Sequence, residues 1–406
     1  MRKSVVRKSA VVALGAAAVV GLAACSNSST SNTGGGLGGG ATSTAGSGSS
    51  GGSSGQTYKI GFQGALSGDN QQLGINEINS VVLAVDQANK SGNLPFKLDV
   101  VKSDDAGVAD KAPAAASALI QDNSVVGVVG PIFSGPTKAT GATYAQANMP
   151  LISPSATNPT LTSSGFTTFH RIVPPDSVEG KEAGDWLAKK AKKVFVVDDT
   201  TDYGKGAADV VTNELKAKGI AVTTQSVPQT TTDYSTISQQ VASSGADAMF
   251  YGGYDKQAAL FAKALQTAGF KGITMTGNGG KSSVFTQNAG DAGNGWYFSC
   301  GCLDATVAPQ AKDFTAAYKQ MFNTDPSTYS PEAYDATNAL IQAIKTAAGK
   351  GSVTRQSVED AVNNLDYKGI TTTIKFQSDG EVKQQVINLY RQENGIIGLV
   401  GDITTS

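Results

Sequence analysis

Two pairs of adjacent carboxylates, Asp104-Asp105 and Asp198-Asp199, are the first residues in this chain whose types and spacing could do acid–base work. Each pair ends a short apolar run, and neighbouring acids at strand ends more often cap helices or bond turns. Cys300-Gly301-Cys302 brings two thiols together, either as a disulfide outside the cytoplasm or as two small buried side chains. Neither state reads as a redox centre or a metal clip. The single histidine, His170, lies in the strand-like run Phe169-His170-Arg171-Ile172-Val173 and would have to serve any Ser–His–acid triad. No Gly-x-Ser-x-Gly elbow accompanies it, so a structural role is expected. Walker-type loops, a Gly-x-Gly-x-x-Gly after a strand and EF-hand loops are absent. One histidine and three cysteines leave little material for zinc or iron, and no cofactor is expected. The chain does not read as an enzyme.

The elements that must position these residues follow a regular order. Strands are predicted over 58–62, 96–102 and 125–129, the last a continuous apolar run as in a strand covered on both faces. Helices are predicted over 75–90 and 110–122, and a further helix leads to Leu151-Ile152. The pattern then restarts, with strands over 194–197, 221–227 and 248–251 and helices over 204–218 and 234–243. Strands alternating with helices imply right-handed crossovers and parallel, helix-covered sheets. The repetition within 406 residues implies two similar α/β lobes. Ligands of such sheets sit beyond the carboxyl ends of the strands, so function is sought in those loops.

The N-terminal segment reads as an address. Arg2, Lys3, Arg7 and Lys8 precede an uncharged apolar run over 10–24, too short to span a bilayer comfortably. It ends Leu22-Ala23-Ala24-Cys25, which resembles the lipobox of bacterial lipoprotein signal peptides, with residues 1–24 removed and Cys25 lipidated. Residues 25–56 are almost entirely small and polar, a flexible tether of roughly 30 Å mean span. The net charge of −1 gives no field for a phosphate backbone, so no nucleic-acid partner is expected.

The loops carry a resemblance. Ile60-Gly61 through Ala65-Leu66-Ser67-Gly68, Gly130-Pro131-Ile132-Phe133-Ser134, Ile152-Ser153-Pro154-Ser155-Ala156-Thr157, Asp202-Tyr203-Gly204-Lys205-Gly206 and Tyr251-Gly252-Gly253-Tyr254 are similar, in order and spacing, to the leucine/isoleucine/valine-binding family of ABC-transporter receptors. The resemblance runs from about Tyr58 to the C-terminus. It implies a type I periplasmic-binding-protein fold: two doubly wound parallel-sheet lobes, 57–174 plus 302–378 and 175–301 plus 379–406, joined by a three-stranded hinge. Crossings are expected near 173–175, 299–302 and 377–380. Carried over by position, Ser134, Ser155 and Thr157, with Ile132 and Ala156 beside them, would receive a ligand carboxylate through hydroxyls and backbone N–H groups. Neutral donors at helix N-termini suit an anion, although the same hydroxyls could simply cap the helices that follow. Tyr203 and Tyr254 would close over the ligand from the second lobe, and Tyr329 would wall one side.

Two departures bear on the ligand. The acid that pairs with the ammonium in the family's amino-acid binders falls at Gly279, and Leu73 stands where branched-chain binders often have tyrosine. Asp255, Asp202 or Glu332 are alternative counter-charges, and Lys281 is either a solvated loop lysine or a group turned toward a more anionic ligand. The expected function is the solute-binding component of an ABC importer. Its ligand would be an amino acid or, alternatively, a small carboxylate or amide. Permease and ATPase subunits are the implied partners, and a monomer is expected. A sensor of the same fold and, more remotely, a surface-anchored hydrolase are the rival readings.

Overall fold

A computed structural model describes residues 55–406. The expected export signal, the expected lipidation at Cys25 and the expected tether up to residue 54 lie outside the described residues. Among the described residues, no helix is long and apolar enough to cross a membrane.

The first half begins with β1 (Thr57–Gly64), α1 (Gln71–Lys90), β2 (Lys97–Asp104), α2 (Ala112–Gln121), β3 (Val125–Val129), α3 (Ser134–Gln146), β4 (Leu151–Ser153) and β5 (Phe169–Arg171). These strands form one five-stranded sheet in the order β2-β1-β3-β4-β5, with every pair parallel. β3 is buried along its whole length, because helices cover both faces. The apolar stripe of α1 (Leu73, Ile78, Val81, Val85) packs into the same core as Leu340 and Ile344.

The second half runs α4 (Asp176–Ala188), β6 (Lys193–Asp198), α5 (Asp202–Ala217), β7 (Ala221–Ser226), α6 (Ser235–Ser243), β8 (Ala248–Gly252), α7 (Asp255–Thr267), β9 (Ile273–Thr276), α8 (Ser283–Ala289) and β10 (Tyr297–Cys300). The chain then returns to the first half through α9 (Lys312–Phe322), α10 (Ser330–Gly349), α11 (Arg355–Asn363) and a short ribbon of β11 (Tyr367–Lys368) and β12 (Thr373–Ile374). It finishes as β13 (Asn388–Glu393) and β14 (Ile396–Asp402), which add to the second sheet. That sheet has seven strands in the order β14-β13-β10-β9-β8-β6-β7.

The second sheet is not wholly parallel as the sequence pattern implied. β13 runs antiparallel to β10, and β14 antiparallel to β13. For β14 the reason is local: the two-residue link Asn394-Gly395 takes positive φ of 51° and 76°, the primed-turn geometry that folds a chain straight back on itself.

One buried ion pair ties the end of β5 to the segment ahead of β13. Arg171 Nε lies 3.1 and 2.9 Å from the two Glu381 carboxylate oxygens, and its Nη2 meets the same carboxylate. Arg171 Nη1 donates to the carbonyls of Ala156 (3.1 Å) and Asn158 (2.8 Å), so this guanidinium also fixes the loop after β4. Cys300 and Cys302 are joined by a disulfide, with Cα atoms 5.1 Å apart, where the chain leaves β10.

Candidate functional site

The loops after β3 and β4 are built on hydrogen bonds that ordinary strand–helix turns do not need. Ser134 opens α3, and its Oγ accepts the Asn158 N–H at 3.1 Å, binding one loop to the other. Ser153 Oγ donates to the Pro131 carbonyl at 2.7 Å and accepts the Ala156 N–H at 3.1 Å. Ser155 Oγ lies 2.8 Å from the Ile132 carbonyl and 3.0 and 3.1 Å from the two carboxyl oxygens of Glu77.

Opposite stand the loops after β6, β8 and β9. Thr201 caps α5 through its side chain, accepting the Gly204 N–H, and presents Tyr203 inward. The Tyr203 hydroxyl accepts the Gly279 N–H at 2.9 Å. Its ring lies 5.1 Å from that of Tyr254, which lies 5.3 Å from Phe133 of the first half. Glu179 of α4 holds the 277–279 loop from behind, accepting the Asn278 N–H (3.0 Å), the Asn278 side-chain amide (2.9 Å) and the Ser299 hydroxyl (3.0 Å). Burial pushes the Glu179 carboxyl up to about 7, and burial together with Glu179 pushes Asp176 up to about 8. Tyr329 completes the wall from the start of α10, with a left-handed backbone (φ 66°) that a non-glycine residue adopts only under strain.

These walls meet around a cavity of about 10 Å³ lined by Leu73, Glu77, Ile132, Phe133, Ser134, Ser155, Tyr203, Tyr254, Asn278, Gly279 and Tyr329. That volume holds about one water, so a larger guest requires the halves to part or the rings to move. Of the ligand-contact residues expected from the sequence, six converge here, Ile132, Ser134, Ser155, Tyr203, Tyr254 and Tyr329, along with the two departures Leu73 and Gly279. Ala156 and Thr157 are buried just outside the lining, and Thr157 Oγ1, whose polar neighbour is Asp176, makes no hydrogen bond of ordinary geometry.

Gly279 has no space for a side chain in this arrangement. A Cβ there would come within 2.5 Å of the Tyr203 ring and 3.1 Å of the Gly253 carbonyl. The proposed substitutes for its missing acid are engaged elsewhere. Asp255 accepts the Ser282 hydroxyl, Asp202 pairs with Lys138 at 2.6 Å, and Glu332 accepts the Leu303 N–H at 2.7 Å. Lys281 is not a solvated loop lysine: it is 7% exposed, with its ammonium 4.2 Å above the Tyr390 ring, and burial lowers its pKa. The residue that sequence reasoning missed is Glu77, buried on α1 and facing the cavity. Its helical position one turn after Leu73 put it on the same face as that wall residue.

The other candidates for chemistry are structural. Asp104 accepts from Leu66, Ser67 and Ala106, and Asp105 from Gln63 and Gly107. Asp198 accepts from Thr200 and Ser226, and Asp199 from Thr201. His170 is buried between the Leu151 carbonyl and Asn363, 3.3 Å from each, and burial lowers its pKa.

Two twisted α/β sheets with helices on their faces, three chain passages between them and a polar cavity where their loops meet define the type I periplasmic-binding-protein fold. Residues 57–395 match the periplasmic binding protein family, and the chain belongs to it, a family of extracytoplasmic binding proteins. The chain is 28% identical over 348 residues to Leu/Ile/Val-binding protein homolog 3 of Brucella melitensis, covering 84% of this chain and 93% of that one. A leucine-binding protein from Thermotoga maritima shares the fold at a TM-score of 0.78, with 23% identity, 85% of this chain covered and 98% of that one. The branched-chain amino acid transporter substrate-binding protein of Streptococcus pneumoniae, solved with isoleucine, superposes at 0.77 with 26% identity, covering 85% and 100%. These relatives are solute-binding proteins.

Proposed function

We propose that this chain is the solute-capturing component of an ABC importer and that its ligand is an amino acid, with branched-chain side chains the first candidates. The observation that carries this reading is the convergence of Ser134, Ser155, Tyr203, Tyr254 and Tyr329 on one cavity between two separately built sheets. Ser134 opens α3, and its hydroxyl accepts the Asn158 N–H and keeps its proton for a carboxylate, while Leu73, Ile132 and Phe133 offer an apolar side chain somewhere to go.

The working parts are lobes of residues 57–174 plus 302–378 and 175–301 plus 379–406, turning about the three passages. Ligand bridges the lobes and shifts the population toward the closed form, whose outline the permease reads while separate ATPase subunits supply energy. Cys25, acylated after removal of residues 1–24, holds the monomer at the membrane by its tether. The isoleucine complex of the Streptococcus pneumoniae relative supports the ligand class.

The test is a thermal-shift screen of the full chain with L-leucine, L-isoleucine, L-valine, their amides and non-amino carboxylates. Occupancy at a hundredfold over the dissociation constant adds about 2.7 kcal/mol of stability. Stabilisation by carboxylates without any by amino acids would overturn the ligand assignment.

A further inference from the structure

Glu77 is the one acid in the cavity lining, and no lysine, arginine or histidine accompanies it. It lies 1% exposed on α1, the half of the site opposite the 277–279 loop. A zwitterionic ligand closed into this space brings an ammonium that needs a counter-charge, because an unpaired ion in a desolvated site is costly. The loop facing Glu77 cannot provide it while Tyr203 occupies the room beside Gly279.

The hydrogen bonds around Glu77 add a constraint. Ser155 has one hydroxyl proton and two neighbours within reach, the Ile132 carbonyl and the Glu77 carboxyl. The carbonyl can only accept. If Ser155 donates to it at 2.8 Å, the contact to Glu77 is satisfied only by a proton on Glu77, which then donates to Ser155 Oγ. Burial raises the Glu77 pKa well above the usual carboxyl range and favours that protonated arrangement. Glu332 of α10, itself pushed up to about 8 by burial, is the acid that acts on Glu77 electrostatically. The phenols of Tyr203, Tyr254 and Tyr329 face it across the cavity, and Asp176 and Glu179 of α4 lie behind Tyr203. None of these groups offers a positive charge.

We propose that Glu77 receives the ligand's ammonium and that binding is coupled to release of a proton from Glu77 to solvent. In the exchange the Glu77 O–H bond breaks, the carboxylate keeps the electron pair and accepts N–H bonds from the ammonium, and the proton leaves to water. Ser155 keeps its own proton throughout. This inference rests on the amino-acid reading above and assigns the specificity-determining residue of that same site.

The experiment is isothermal titration of the full chain with L-leucine and with 2-hydroxy-4-methylpentanoate, which replaces the ammonium by a hydroxyl. It is run near pH 6 in buffers of different ionisation enthalpy. The wild type is expected to bind L-leucine with release of close to one proton. E77Q is expected to lose about 10- to 100-fold in L-leucine affinity, to keep its affinity for the hydroxy acid, and to release no proton. E77D keeps the charge one methylene further back and is expected to show an intermediate affinity with proton release retained. Should E77Q fail to fold, E77D and the wild-type proton count decide the matter. Equal L-leucine affinity in E77Q and wild type, or binding without proton release, overturns the role of Glu77 alone. A wild type that binds the hydroxy acid and no amino acid overturns the amino-acid reading and this inference together.

Discussion

The two walls of the cavity are made of different materials. On the side of the five-stranded sheet, Ser134, Ser153 and Ser155 are locked by carbonyls and amides of neighbouring loops, and Arg171 holds the same loop by two further carbonyls. On the side of the seven-stranded sheet, the contacts are aromatic rings, with the Tyr203 hydroxyl bonded to a backbone N–H and Tyr254 resting on Phe133 across the gap. The first wall is preorganised polar recognition, and the second is apolar area with a single directed bond. On the proposed reading, one half selects a ligand and the other covers it.

The comparison can be broken most severely at Arg171. R171M leaves Glu381 buried without its partner and frees the 156–158 loop, which should cost about 3–5 kcal/mol of folding stability. Thermal unfolding reads the loss, and an unchanged melting temperature would mean the first wall is not rigid because of this pair. G279A strikes the covering wall, since the added methyl meets the Tyr203 ring. Ligand affinity should fall about tenfold or more while the fold persists, as titration would show. Y203F removes the acceptor of the Gly279 N–H and should cost about 1–3 kcal/mol of binding free energy, seen as faster ligand dissociation in stopped-flow traces.

A pH series sharpens the comparison further. Asp176 rises to about 8 in the fold from an ordinary value near 4, so folding favours its protonated form. Its contribution is fully present below about pH 4 and is lost as pH climbs through about 8. Stability should therefore decline over that window, and D176N should flatten the decline in melting temperature against pH. The smallest effect is expected at the rim, where Lys138–Asp202 (2.6 Å) and Lys256–Asp69 (2.7 Å) cross between the halves in solvent-exposed positions. K138A or K256A should weaken binding by less than about fivefold, and less still in high salt.

Strands β1, β3, β6 and β8 were legible because buried parallel strands write themselves as apolar runs, with 125–129 the plainest case. Register with known loops then located Ser134, Ser155, Tyr203 and Tyr254. The hairpin of β13 and β14 was missed although Asn394-Gly395 carried its signal, because the alternation of strands and helices set the expectation of parallel pairing. Glu77 was missed for a different reason. On a helix it reads as one polar residue among many, and only the packing of α1 against the loop after β4 turns it inward. Lys281 was open to two readings because a loop lysine carries no sequence mark of burial; the Tyr390 ring that receives it lies more than a hundred residues away.

Phe133, Tyr254 and Tyr203 already touch one another where the halves meet. On the proposed reading a guest trades those ring contacts for its own, so the protein competes with its cargo for the same few ångströms. A molecule too short to span from hydroxyls to phenols forfeits the contacts without replacing them. Selectivity by size would then come from what the receptor gives up rather than from a boundary that the cargo strikes.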